Sequence, residues 1–209
     1  MFVEGEYNQM EKLSIEERFS MKLLHGLKKN IVLTEIQEAK ISYGLSMLMI
    51  TLGKVSLIYF IAFSLGTVSE TLLSHLPFCI VRSYSRGFHA KSSLNCGVSG
   101  IICFSILPWL IKANNWNVSF LSSILIGFIC TVILFFRAPA NTEKNQVTNE
   151  KQRKNLRKKA IIANSILFIL ILVEFQSSEQ LIGMSGLLIT SFLALPLEKI
   201  LWKKARAER

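Results

Sequence analysis

The 209-residue chain is 51% hydrophobic and 18% charged, with a mean hydropathy of +0.41, a composition too apolar for an ordinary soluble domain and suited to a lipid bilayer. Its 24 Lys and Arg against 14 Asp and Glu leave a net charge of +10, which in so apolar a chain belongs to loops on one membrane face rather than to nucleic-acid binding. Cys79, Cys96, Cys103 and Cys130 have neither paired metal spacing nor the density of a secreted scaffold, which argues against structural zinc and a disulfide framework.

The first 30 residues are polar and amphipathic, without the uninterrupted apolar core of a signal peptide, so targeting falls to the first spanning segment. Within residues 1–40, Ser14-Ile15-Glu16-Glu17 reads as a capping box. Phe19, Leu23 and Leu27 follow at four-residue spacing with Leu24 beside them, which predicts an amphipathic helix at the membrane interface. A second capping box, Thr34-Glu35-Ile36-Gln37, starts the helix that enters the first span. A spanning helix needs about 20 apolar residues, and segments 41–64, 97–113, 118–136 and 160–176 come close to this. Two weaker segments are 67–81, with Glu70, His75 and Pro77, and 180–197, with Gly183, Gly186 and Pro196. The expected fold is all-α: a single polytopic membrane domain over 1–209 with about six transmembrane helices. The alternative for the second segment is a re-entrant course.

Loop charges test the count independently, because Lys and Arg concentrate on the cytoplasmic side. With both termini inside, the inner segments hold 22 of the 24 basic residues: six in 1–40, three in 82–91, eight in 137–159 and five in 198–209. The outer connections 64–70 and 174–180 contain Glu70, Glu174 and Glu179 but no Lys or Arg. Five spans would put a basic loop outside. The inner loop 137–159 opens with a Pro-containing turn and is long enough to suggest a function. Its run Lys151, Arg153, Lys154, Arg157, Lys158 and Lys159 reads as a topology signal and anionic-lipid contact, or, in a sharper reading, as a site for an acidic peptide.

The segment 82–96 crowds a His, a Cys, two Arg and a Lys at the cytoplasmic end of a span. A cysteine nucleophile needs its thiolate, which nearby cations stabilise; His89 could pair with Cys96 and later protonate a leaving amine. On one continuous helix the two would stand about 10.5 Å apart along the axis, so the chain must turn between them. Gly87 and the Ser92-Ser93 pair are turn and N-cap positions that allow it, and Cys96 then falls in the first turn of the next helix, where the N-terminus favours an anion. The residues alone leave a blander reading open: a solvated His and a small packed Cys. Glu70 lies at the wrong end of its segment to orient His89, and His75 reads as a packed polar group.

Arg82, then Gly87-Phe88-His89-Ala90-Lys91-Ser92, then Cys96 form a pattern that resembles the AgrB family, the membrane endopeptidases that process the propeptide AgrD into a cyclic autoinducer for Gram-positive quorum sensing. Ala-Pro-Ala-Asn-Thr-Glu at 138–143 and the basic stretch behind it resemble the family's loop after the fourth span. One departure is Arg86, which stands where many members have the first of two glycines. The resemblance implies that Cys96 is the nucleophile and His89 its general base and acid, with Arg82 and Gly87 shaping the site. Cys96 would cleave the propeptide's C-terminal tail, leaving an acyl thioester that an internal Cys or Ser of the peptide closes into a thiolactone or lactone. The implied partners are an AgrD-type propeptide and a bilayer with anionic lipids, in the cell membrane of a Gram-positive bacterium with the site on the cytoplasmic side. No cofactor or metal is needed, and a homodimer is compatible with so small a membrane protein. A different class of reading, a small transporter without peptidase activity, draws on Lys54, Glu70 and the broken second segment; a scaffold that docks a partner through its basic loops is a third.

Overall fold

The computed structural model describes residues 21–26, 33–87, 93–140 and 148–195. Among them the regular structure is helical, with one isolated bridge: α1 Glu35–Ser64, α2 Val68–Ser85, α3 Ser93–Ile101, a π-helical turn Ile102–Ile106, α4 Leu107–Ala113, α5 Phe120–Arg137, α6 Glu150–Glu174 and α7 Ser177–Leu193. Each of the six apolar segments read from the sequence falls on these helices, the last as far as Leu193. By length and composition three stretches can cross a membrane: α1, Leu94–Ala113 and α5. The other three helices are less apolar or shorter. α2 carries Glu70, His75 and Arg82, the first ten residues of α6 are mostly polar or charged, and α7 has 17 residues.

The chain divides into two compact units, Met1–Leu57 and Ile58–Arg209. In the first, residues 21–26 are helical and Leu24 is buried while Leu23 is exposed. The Ser14–Glu17 box, Phe19 and Leu27 lie outside the described residues. The second predicted box is present: Thr34 N–H donates to Gln37 Oε1 at 3.0 Å, and Gln37 N–H donates back to Thr34 Oγ1 at 3.4 Å. Two donors that the first turn of α1 cannot satisfy internally are thereby paired.

The second unit buries polar groups among its apolar core and leaves large apolar side chains outside. Thr71, Ser74, Ser105, Ser123, Asn164, Thr190 and Ser191 are fully buried, whereas Phe63, Leu121, Phe136 and Val173 are about 70% exposed or more. Lipid explains this arrangement: in hydrocarbon an exposed Phe costs nothing, while hydroxyls and amides must find partners between helices. Ser74 and Ser185 hydroxyls meet at 3.0 Å, Asn164 Nδ2 donates to Thr131 Oγ1 at 3.0 Å, and Ser123 Oγ donates to Gln180 Oε1 at 3.2 Å. α7 is the central helix. Its Gly186 lies so close to the α2 backbone that a Cβ there would overlap the Ser74 carbonyl oxygen, the close approach that small residues permit in membrane bundles. Around it Val81, Cys130, Leu134, Ala138, Ala160, Ile171, Met184 and Leu187 form the buried core.

The predicted third span is interrupted by the π turn, where Leu107 N–H bonds back to Ile102 O. Pro108, at the start of α4, lacks an N–H and crowds the carbonyl four residues earlier; the widened turn relieves that crowding. Ser105 in the same turn donates to Ile58 O at 2.9 Å, which ties it to the last part of α1.

Candidate active site

α2 carries Arg82 in its last turn and then leaves helical geometry within two residues. Arg86 has φ 52° and Gly87 φ 133°, both on the side of backbone space that L side chains rarely adopt. The break is held by two side chains of the helix's own last turn and by one backbone donor from outside it. Arg82 Nη1 donates to the Arg86 carbonyl at 2.6 Å, Ser85 Oγ donates to the same carbonyl at 3.3 Å, and Ala140 N–H donates to the Ser85 carbonyl at 2.9 Å. Arg86 and Ala140 form a parallel bridge. A non-glycine residue on the left-handed side costs about 1–3 kcal/mol, and a hydrogen bond from a charged donor contributes about 1.5–3 kcal/mol, so these contacts suffice to keep the turn.

At Gly87 the space admits only glycine. A Cβ would overlap Arg82 Nη1 and the carbonyl oxygen of Leu193, the last residue of α7. The end of α2, the 138–140 segment after α5 and the end of α7 therefore meet at one point. α6 joins them through Arg157, whose Nε donates to the Ala138 carbonyl at 2.8 Å.

Cys96 is the fourth residue of α3 and is half-buried. It lies within electrostatic reach of Arg82. The structure thus packs Arg82 against Gly87 and leaves Cys96 within electrostatic reach of Arg82. His89, the expected partner of Cys96, lies outside the described residues.

The other candidates fall elsewhere. Glu70 pairs with Lys112 and accepts from Ser69 Oγ at 2.9 Å, about 18 Å from Arg82 along the axis of α2. His75 is packed as expected: its ring lies 4.8 Å from that of Phe104 and 6.1 Å from that of Phe78. Its two nitrogens each find a neighbour, Tyr59 hydroxyl and Cys79 Sγ, both at 3.4 Å. Asn149 caps α6, with Oδ1 accepting from the Lys151 N–H at 3.0 Å and the Gln152 N–H at 3.4 Å. The basic run that follows divides by direction. Lys151, Arg153, Lys154, Lys158 and Lys159 are exposed, Lys159 with its Nζ 5.9 Å over the Tyr84 ring, whereas Arg157 is half-buried against Ala138. Sequence reasoning did not find the roles of Ala138, Ala140 and Leu193. The available signal was the Ala-Pro-Ala run itself, since Pro139 has no N–H and leaves Ala140 as the next backbone donor.

This is the architecture of a helical membrane protein with a cysteine within electrostatic reach of an arginine that ends one of its helices. Residues 20–195 match the family described as Accessory gene regulator B, and the chain belongs to that AgrB family. It is 34% identical over 154 residues to an AgrB-like protein of Listeria monocytogenes serotype 4a (strain HCC23), covering 71% of this chain and 72% of that relative. It is 31% identical over 179 residues to the Accessory gene regulator protein B of Staphylococcus intermedius, covering 86% and 93%. The corresponding protein of Staphylococcus haemolyticus (strain JCSC1435) is 30% identical over 187 residues, covering 88% and 95%. No solved structure matches the chain.

Proposed function

We propose that this protein is a membrane cysteine endopeptidase of quorum sensing, which removes the C-terminal tail of an AgrD-type propeptide and cyclises the remainder. The observation that carries the reading is Cys96 in the first turn of α3, with Arg82 within electrostatic reach across the Gly87 turn. Family membership supplies the substrate class.

In this reading His89 takes the Cys96 proton, and the thiolate adds to the scissile carbonyl. The C–N bond breaks, His89 returns a proton to the leaving amine, and the peptide remains as a thioester. A thiol or hydroxyl within the peptide then gives its proton to His89 and attacks that thioester; the C–S bond to Cys96 breaks, Cys96 leaves as thiolate and a thiolactone or lactone ring closes. Water would divert the thioester to a linear acid, so a site at the membrane end of the helices serves the second step by limiting its access. Six crossings with both termini inside fit the ends that meet around Gly87. Arg82 and the basic start of α6 lie at that end, while Glu70 and Lys112 pair at the other. The exposed Lys151, Arg153, Lys154 and Lys158 face where an acidic tail would approach.

The test is co-expression with a candidate propeptide and intact-mass analysis of the products. Wild type is expected to yield a shortened, dehydrated ring, and both Cys96→Ala and His89→Ala to yield only the full-length propeptide. Cleavage that survives Cys96→Ala rejects the thiol mechanism, and peptide movement without cleavage favours the transporter.

A further inference from the structure

The basic run of α6 carries one residue whose contact is unlike that of its exposed neighbours. Arg157 directs Nε to the carbonyl of Ala138 at 2.8 Å, and Ala138, the extended residue that caps α5, is fully buried. Two residues later Ala140 N–H donates to Ser85 O. Pro139, between them, has no N–H to give. The segment 138–140 is therefore tied at one end to α6 and at the other to the last turn of α2. Its attachment point matters, because Ser85 O is the acceptor that a continuing α-helix would offer to the N–H four residues on, at position 89. Ala140 occupies that acceptor, and the backbone leaves the helix at once through Arg86 and Gly87.

We infer that Arg157 is a positioning residue: through the Ala138 carbonyl it holds the 138–140 segment against Ser85, and so fixes the turn from which the chain runs on to His89. The inference rests on the peptidase reading and deepens it, assigning Arg157 to the geometry of the site rather than to attraction of the substrate. A lysine keeps the charge but has no Nε donor in a rigid planar group, so the two roles separate experimentally.

Arg157→Lys and Arg157→Gln are expected to lower kcat for propeptide cleavage by about tenfold to a hundredfold, as displacement of a catalytic group by about 1 Å does, with little change in KM and no dependence on salt. Lys154→Gln, at an exposed position, is expected instead to raise KM in a salt-dependent way. Ala140→Pro removes the donor at the other end of the tie while leaving every charge in place. It should reproduce the kcat loss and add little to Arg157→Gln. A readout independent of activity is amide hydrogen exchange in the peptide containing Ala140, expected to quicken about tenfold or more in Arg157→Lys, as loss of a charge-assisted hydrogen bond implies. Wild-type kcat in Arg157→Lys, or a salt-dependent KM effect in Arg157→Gln alone, overturns the inference. So does unchanged exchange at Ala140. If the wild-type protein cleaves no propeptide the functional reading fails, and the exchange experiment still decides whether Arg157 holds the turn.

Discussion

Gly87→Ala adds a single methyl group at the point where α2, α7 and the 138–140 segment meet. Two penalties follow. An alanine at φ 133° is strained by about 1–3 kcal/mol. Its Cβ would also overlap Arg82 Nη1 and Leu193 O and lie 3.0 Å from the Leu193 carbonyl carbon, and relieving overlap with packed backbone costs about another 1–3 kcal/mol. Against this stand the two strongest bonds that hold the turn, Arg82 to Arg86 O and Ala140 to Ser85 O, together worth about 2–4.5 kcal/mol. The opposing magnitudes are equal within their spread, so the turn should give way rather than store the strain. Because only the turn opens, the stability lost is limited to what those bonds contribute, and the helices stay folded. The expected result is a fall of about a hundredfold or more in cleavage, a modest drop in Tm in detergent, and slower alkylation at neutral pH of a variant retaining Cys96 as its only cysteine, since Arg82 no longer holds its place. Gly87→Ala with wild-type cleavage and wild-type Cys96 alkylation would refute the geometry argued for this turn.

Gly186→Val should be far more damaging to the fold than to any local site. The added group overlaps the Ser74 carbonyl and must part α2 from α7 along their shared length, so the variant is expected to lose its thermal transition in detergent; an unchanged Tm would contradict the close approach. Reversing charge at Lys151, Arg153, Lys154 and Lys158 together should raise KM for a propeptide with an acidic tail by about tenfold at low salt, with the effect shrinking as salt is added. Equal processing across salt at equal expression rejects an electrostatic role for the run.

The positions of the helices were legible because lipid imposes a long apolar period that no loop imitates, and both Thr34 and Gln37 announced a helix start that the structure contains. Crossing was harder to read from the same residues. α2 and α6 mix polar groups into their lengths, and α7 is short and glycine-rich because it packs against α2 at Gly186 rather than facing lipid. At the site, the motif drew attention to Arg82, Gly87, His89 and Cys96, and the structure packs Arg82 against Gly87. It could not disclose why Gly87 is glycine. That depends on Leu193, more than a hundred residues away in sequence, whose carbonyl reaches the turn only once α7 is in place. Nor could spacing distinguish Arg157 from Lys154 or Lys158: all three belong to one basic run, and only packing against Ala138 turns one of them inward.

The two ends of the second unit treat their charges differently, and the difference offers a test that needs no propeptide. Residues 82–87 and 148–160 contain eight basic residues and one acidic one, Glu150. The acceptor for Arg157 is a carbonyl, so that contact leaves its positive charge in the local field. At the other end Lys112 is neutralised by Glu70. Cys96 should therefore sit in a positive potential that an exposed thiol near Lys112 does not share. Alkylation by iodoacetate, an anion, relative to iodoacetamide, its neutral counterpart, measures that potential directly, because the intrinsic reactivity of each thiol largely cancels in the ratio. The ratio at Cys96, in a variant with no other cysteine, should exceed that at Asn114→Cys in a cysteine-free background several-fold at low ionic strength, and the excess should vanish as the Debye length falls from about 30 Å at 0.01 M to about 3 Å at 1 M salt. Equal ratios at the two positions, or an excess that persists in molar salt, would mean that the basic end does not attract anions to the thiol. The acidic tail of a propeptide would then have to be recognised by shape instead.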